Sequence, residues 1–285
     1  MKNRLILVEG IPGSGKSTIA YKIKEYLESQ GIKAKLYSEG DAHPADLAWN
    51  ACLTIDEYTH ILNSNPELKE KIKENTKIEG DYAIIAYTKL GLPMKGSELT
   101  KYFESKEVYD GRATLETFKK LHFQRWEQFA KSMEKDKSVA IFECAYLQNH
   151  VNELMGCHEK SSEYIEGYMF ELIETVKCLN PKLIYLTQPD VEETIKRVAA
   201  ERVTQDKSKW DDWIDLVIRY VEGSKYGQSK GFKGYEGTIE FFKDRKKIEE
   251  NIIAKLSIDK AVINNSDYNW DMVFDKVIEE LDINN

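Results

Sequence analysis

Eight residues near the N-terminus constrain this chain more than any others: Gly10-Ile11-Pro12-Gly13-Ser14-Gly15-Lys16-Ser17. They satisfy the spacing G-x-x-x-x-G-K-[ST] at every fixed position. The flanking context agrees. Leu5-Ile6-Leu7-Val8 is a short, continuous apolar run, suited to a strand buried on both faces of a parallel sheet. Beyond the motif, Ile19, Ile23 and Leu27 mark one face of a helix, which Gly31 is placed to end as a left-handed cap. Gly10, Gly13 and Gly15 permit backbone angles closed to other residues and let main-chain N–H groups approach an anion. The start of a helix adds its own unpaired donors. The pattern predicts a phosphate cradle of Gly10, Gly13, Ser14, Gly15, Lys16, Ser17 and Thr18. Lys16 would reach the β- and γ-phosphates, and the Ser17 hydroxyl would take a place on Mg²⁺.

The strand–helix rhythm then continues. Lys33-Ala34-Lys35-Leu36-Tyr37 alternates as a second strand, completing a βαβ unit. Leu115, Phe118, Leu121, Phe129 and Met133 share a helical face ahead of the strand Val139-Ala140-Ile141-Phe142. Ile165, Met169, Leu172 and Val176 mark another helix, followed by Pro181 and the strand Leu183-Ile184-Tyr185-Leu186. Asp190 with Glu193 has the spacing of a capping box for a helix running to Val203. A last strand, Ala261-Val262-Ile263, precedes a helix carrying Trp270, Val273, Phe274, Val277 and Leu281. Five short strands alternating with helices predict a three-layer α/β fold around a mostly parallel five-stranded sheet, with residues 1–285 as one domain. Residues 42–113 break the rhythm with Pro44, Pro66, Pro93 and several glycines, and read as a partly helical substrate-side insertion. Within it, the run from Tyr82 to Tyr87 suits either strand or helix.

Composition narrows the partners. The chain carries 41 Lys and Arg against 49 Asp and Glu, a formal net charge of −8, which disfavours non-specific binding to nucleic acid or anionic membrane. No apolar run approaches the roughly 20 residues of a membrane span. Met1-Lys2-Asn3-Arg4 leads straight into the first strand without the pattern of a cleaved signal. Cys52, Cys144, Cys157 and Cys178 share no C-x-x-C spacing, so reduced thiols in a cytoplasm are expected.

The nine residues from Gly10 to Thr18 resemble the loop of P-loop kinases: nucleoside and nucleotide kinases, antibiotic-modifying phosphotransferases and polynucleotide 5′-hydroxyl kinases. With the strand–helix order, the resemblance extends across the core but not into the insertion. The Asn-Lys-x-Asp guanine motif of Ras-type GTPases does not occur. Val139-Ala140-Ile141-Phe142-Glu143 resembles the third strand of deoxynucleoside kinases. That strand closes Glu-Arg-Ser, where this chain has Glu143-Cys144-Ala145, so the family's arginine has no counterpart. The resemblance implies that Glu143 holds a Mg²⁺-bound water or a substrate hydroxyl. It also implies a carboxylate base just past the second strand, where Ser38-Glu39-Gly40-Asp41-Ala42-His43 offers Asp41 or Glu39. His43, beside Pro44, reads as a turn residue.

Nucleotide kinases place lid arginines after the fourth strand, which implies such a role for Arg202 and Arg197. Arg197 equally fits surface ion pairs with Glu193 and Glu201 at helical spacing. Residues 204–237, with a glycine-rich tract over 223–237, read as a lid or a long loop. Asn264, in Asn264-Asn265-Ser266 after the last strand, corresponds to the loop that lines adenine in similar kinases. The expected activity is transfer of the γ-phosphoryl group from ATP, with Mg²⁺, to a hydroxyl of a small molecule such as a nucleoside, nucleotide or antibiotic. The rivals are a polynucleotide or tRNA-linked hydroxyl kinase, which the acidic charge opposes, and a nucleotide-switched ATPase acting through a protein partner.

Overall fold

The structure, a computed structural model, describes residues 2–39, 43–94, 96–207 and 210–281. In chain order the helices and strands are β1 (Leu5–Gly10), α1 (Lys16–Ser29), β2 (Ala34–Tyr37), β3 (Ala51–Thr54), α2 (Ile55–Ser64), α3 (Lys69–Glu74), β4 (Thr76–Glu79), β5 (Tyr82–Ile85) and α4 (Glu98–Glu104). They continue as α5 (Leu115–Met133), β6 (Val139–Glu143), α6 (Leu147–Asn152), α7 (Ser162–Glu174), β7 (Lys182–Thr187), α8 (Val191–Glu201), α9 (Trp213–Gly223), α10 (Lys225–Lys230), α11 (Gly234–Lys255), β8 (Asp259–Asn264) and α12 (Trp270–Leu281). The chain divides into two compact units. The first comprises residues 1–46, 122–203 and 212–285, and the second residues 47–121 and 204–211.

The first unit is built on a five-stranded sheet of order β2-β6-β1-β7-β8, parallel at every pairing. This is the α/β architecture that the alternation of elements predicts. β1 is buried along its whole length because it lies between β6 and β7 with helices on both faces, which explains its unbroken apolar run. Ile6, Val8, Ile141, Ile184, Leu186 and Ile263 point to one face and pack against Ile19, Ile23 and Leu27 of α1 and Val273, Val277 and Leu281 of α12. On the other face Phe142 meets Trp126 and Phe129 of α5, and Tyr185 reaches Glu249 of α11. The register sets Val8 beside Glu143 and Gly10 beside Leu186, so the carboxyl ends of β1, β6 and β7 are neighbours. Open α/β sheets bind ligands at such ends.

Local chemistry fixes the element ends. α1 closes in a Schellman motif: Gly31 takes φ +74°, its N–H reaches Glu28 O at 3.0 Å, and Ile32 N–H reaches Leu27 O at 2.9 Å. Asp190 caps α8 by accepting from Glu193 N–H at 2.9 Å, and the helix stops at Glu201 rather than Val203.

The second unit has its own antiparallel sheet of order β3-β5-β4. Leu53, Ile61, Ile72, Ile85, Tyr87 and Phe103 form its core. Tyr82–Ile85 is a strand, followed by a short 3₁₀ turn over Tyr87–Leu90. β4 and β5 form a hairpin across Gly80-Asp81, with Gly80 at φ +60° and Glu79 opposite Tyr82. A capping box between Thr54 and Glu57 starts α2.

The tract over 223–237, expected as a lid or a long loop, is helical over most of its length. Ser224 caps α10 by accepting from Gly227 N–H, and Gly231 ends it at φ +69°. A Cβ on Gly227 would stand 1.9 Å from Val221 O, and one on Gly237 would stand 2.7 Å from the Phe232 backbone. At those two positions glycine serves close approach of backbone rather than freedom.

Candidate functional site

The turn between β1 and α1 holds its glycines in conformations that demand them. Gly10, Gly13 and Gly15 have φ of +148°, +80° and +94°. Gly15 is the N-cap of α1; among the described residues no side chain caps this helix, and no acidic residue lies in its first turn. By contrast Thr54, Ser161, Asp190 and Ser224 each cap a helix with a side-chain oxygen. Donors at the start of a helix are suited to an anionic acceptor. Ser14 is buried beside them, and its Oγ meets no hydrogen-bond partner among the described residues.

Lys16, Ser17 and Glu143 converge at this turn. Lys16 is buried, and its Nζ donates to Ile11 O within the loop at 3.0 Å, arching back over the turn. The Ser17 hydroxyl donates to Glu143 Oε1 from the end of β6. Thr18 is exposed on α1. Glu39, past β2, accepts from Gln148 Nε2 at 3.4 Å. Its carboxyl is raised above the ordinary range, chiefly by loss of solvation. Lys16 opposes that rise, while the nearby charges of Asp46 and Glu143 add to it and Arg202 weakly opposes it. Glu39 as a residue is exposed to solvent. Asp41, the other candidate base, lies outside the described residues.

The loop after β8 braces the turn. Asn265 Nδ2 donates to Ser14 O at 2.8 Å, and the Tyr268 hydroxyl donates to Gly13 O at 2.8 Å. Gln188 in turn holds Asn265 O at 2.6 Å. Asn264, singled out from the sequence, points outward and accepts from Ser266 N–H. The alternation along β8 carries this information, because Ala261 and Ile263 are buried and the period of two puts Asn265, not Asn264, on the inner side. Arg197 lies over the Tyr268 ring at 3.4 Å, so it belongs to the same brace. Arg202 stands over Trp213 at 5.5 Å.

Behind the turn sits a buried carboxylate that the apolar reading of β1 passed over. Glu9 is fully enclosed and accepts from Tyr146 N–H at 2.7 Å and Gln148 N–H at 3.0 Å, tying β1 to the segment that follows β6. Burial pushes its pKa up to about 7 despite those two amides. In that segment Cys144 takes φ +65°, uncommon for a residue with a side chain. Burial raises its thiol well above the ordinary range, the opposite of an activated nucleophile. His43 orders the stretch before Asp46: its Nδ1 accepts from Ala45 N–H at 3.1 Å and Asp46 N–H at 2.7 Å, as a turn residue would. Arg125 donates to His43 O at 3.3 Å.

The fold and this site define an α/β protein with a glycine-rich turn at the carboxyl ends of its central strands. No protein-family model matches the chain. Among the described residues no helix is long and apolar enough to cross a membrane.

Proposed function

We propose that this protein is an ATP- and Mg²⁺-dependent phosphotransferase of the P-loop type, acting on a hydroxyl of a small molecule such as a nucleoside, nucleotide or antibiotic. The observation that carries this reading is the pairing of Ser17 with Glu143 at the mouth of the glycine turn. A hydroxyl and a carboxylate supplied by adjacent elements form an oxygen donor set for a hard divalent cation beside a phosphate. The residues fit the nucleotide as well: an uncapped α1, a buried Ser14 Oγ without a partner, and a lysine folded over the turn.

In this scheme the amides of the turn and of α1 bind the polyphosphate, and Lys16 leaves Ile11 O to balance the charge that grows on the transferred group. Ser17 and Glu143 would hold magnesium, which would supply positive charge against that of the phosphate oxygens. Glu39 accepts the proton of the attacking hydroxyl. Its raised pKa brings it nearer to the pH at which a general base works best, and Gln148 orients it. The scattered spacing of Cys52, Cys144, Cys157 and Cys178 fits a protein acting in a reducing cytoplasm.

Calorimetry with Mg-ATP, followed by transfer of labelled γ-phosphate to a panel of hydroxyl compounds, tests the scheme. Lys16→Ala is expected to weaken Mg-ATP binding by at least about tenfold and abolish transfer while leaving the circular dichroism unchanged. Glu39→Gln is expected to retain binding and lose transfer. Absence of saturable binding of the wild type to Mg-ATP or Mg-GTP overturns the proposal. ADP release that no acceptor stimulates, rising with a protein partner, replaces it with a switch.

A further inference from the structure

We infer that Asp46, His122 and His150 form a site for a divalent transition-metal ion of the zinc class, separate from the glycine turn and from any Mg²⁺ bound there. Three segments of the first unit supply it: Asp46 ends the stretch after β2, His122 lies in α5 and His150 in α6. All three residues are buried, and one ligand atom from each lies within 4.8 Å of the others. Two imidazoles and one carboxylate make a donor set that borderline divalent ions accept, with a further position for water.

The spacing leaves room for an ion. His122 Nε2 and Asp46 Oδ1 stand 3.9 Å apart. A hydrogen bond between them would need about 2.9 Å. Two ligands on a tetrahedral ion with bonds of about 2.0 Å stand about 3.3 Å from each other, so closing this set onto a metal takes side-chain shifts of about 1 Å.

Outer contacts that orient metal ligands are already in place. Asn149 Nδ2 donates to Asp46 Oδ2 at 3.0 Å, and the His43 ring fixes the Asp46 backbone. The Tyr168 hydroxyl pairs with His150 Nδ1 at 3.1 Å and orients the ring. The rings of His122 and His150 lie 4.6 Å apart, with Trp126 and Tyr168 packed against His150. Enclosed in this way, the ion acts as a clip that holds the segment after β2 to α5 and α6.

The full-length protein, stripped with a chelator, is titrated with ZnCl₂ by calorimetry and with CoCl₂ by visible absorption. The wild type is expected to take one equivalent of Zn²⁺ that Asp46→Asn and His150→Gln both lose, and to melt at higher temperature with Zn²⁺ bound. Ser17→Ala is expected to keep that equivalent, which separates this site from the glycine turn. Tyr168→Phe retains the ring and removes the outer contact, and is expected to weaken Zn²⁺ about tenfold. Where a ligand variant fails to fold, the wild-type Co²⁺ spectrum decides: strong visible bands of a four- or five-coordinate ion support the site. A weak octahedral spectrum, no one-equivalent uptake of Zn²⁺, or uptake undiminished in folded Asp46→Asn and His150→Gln overturns it.

Discussion

Asn265 and Glu107 show how much one side chain decides here. Asn265 is buried and is the donor that holds Ser14 O, so it fixes the backbone of the glycine turn. Asn265→Ala is expected to cost about 1–2 kcal/mol in chemical denaturation and to weaken Mg-ATP in calorimetry, because a buried carbonyl loses its partner. Asn264→Ala, one residue away on the solvent side, is expected to change stability by less than about 0.5 kcal/mol. Glu107 is buried in the second unit, where it accepts a hydrogen bond from the Tyr87 hydroxyl. Burial raises its pKa from 4.5 to about 8, against the pull of Tyr87. The folded state therefore holds this proton more tightly than the unfolded chain. The stability it contributes is complete below about pH 4.5 and is lost as the pH rises through about 8. Glu107→Gln keeps an acceptor for Tyr87 and carries no charge. In urea titrations it is expected to match the wild type near pH 4 and to exceed it by on the order of 2 kcal/mol near pH 9.

At the scale of elements, helical glycines divide into two kinds. Gly167 lies inside α7 with nothing within 4 Å of an added Cβ, whereas Gly227 in α10 is pressed against Val221 O. Propensity alone makes both substitutions to alanine favourable by about 1 kcal/mol. Gly167→Ala is expected to stabilise by about that amount and Gly227→Ala to destabilise by at least about 2 kcal/mol, measured by thermal melting. The sequence shows glycines crowded over 223–237, and that crowding resembles a loop. At Gly227 and Gly237 the reason is close backbone contact with Val221 and Phe232, which hydrophobic periodicity does not carry. The opposite holds for the hairpin of β4 and β5. Gly80-Asp81 between two strand-like runs is a local turn signal, legible in the sequence though masked there by the irregular stretch around it. Most parallel strands and the caps at Gly31 and Asp190 were legible for the same reason: their causes are local.

For the whole molecule, the consequence of two compact units, each with a core of its own, is calorimetric. Thermal unfolding is expected to depart from one two-state transition, with a van't Hoff enthalpy below the calorimetric value. Mg-ATP at about one hundred times its dissociation constant is expected to stabilise the first unit by about 2.7 kcal/mol and shift only that component, an effect absent in Lys16→Ala. By itself the sequence determined the glycine turn, the strands and helices around it, and the lysine and serine that follow it. Each of these depends on spacing along a few residues or on a buried apolar run. The order β2-β6-β1-β7-β8, the meeting of Ser17 with Glu143, the enclosure of Glu9 and the gathering of Asp46 with His122 and His150 were decided only by tertiary structure. These features join residues far apart in the chain, and what brings them together is the packing of helices onto the two faces of one sheet, for which a single sequence holds no local signature.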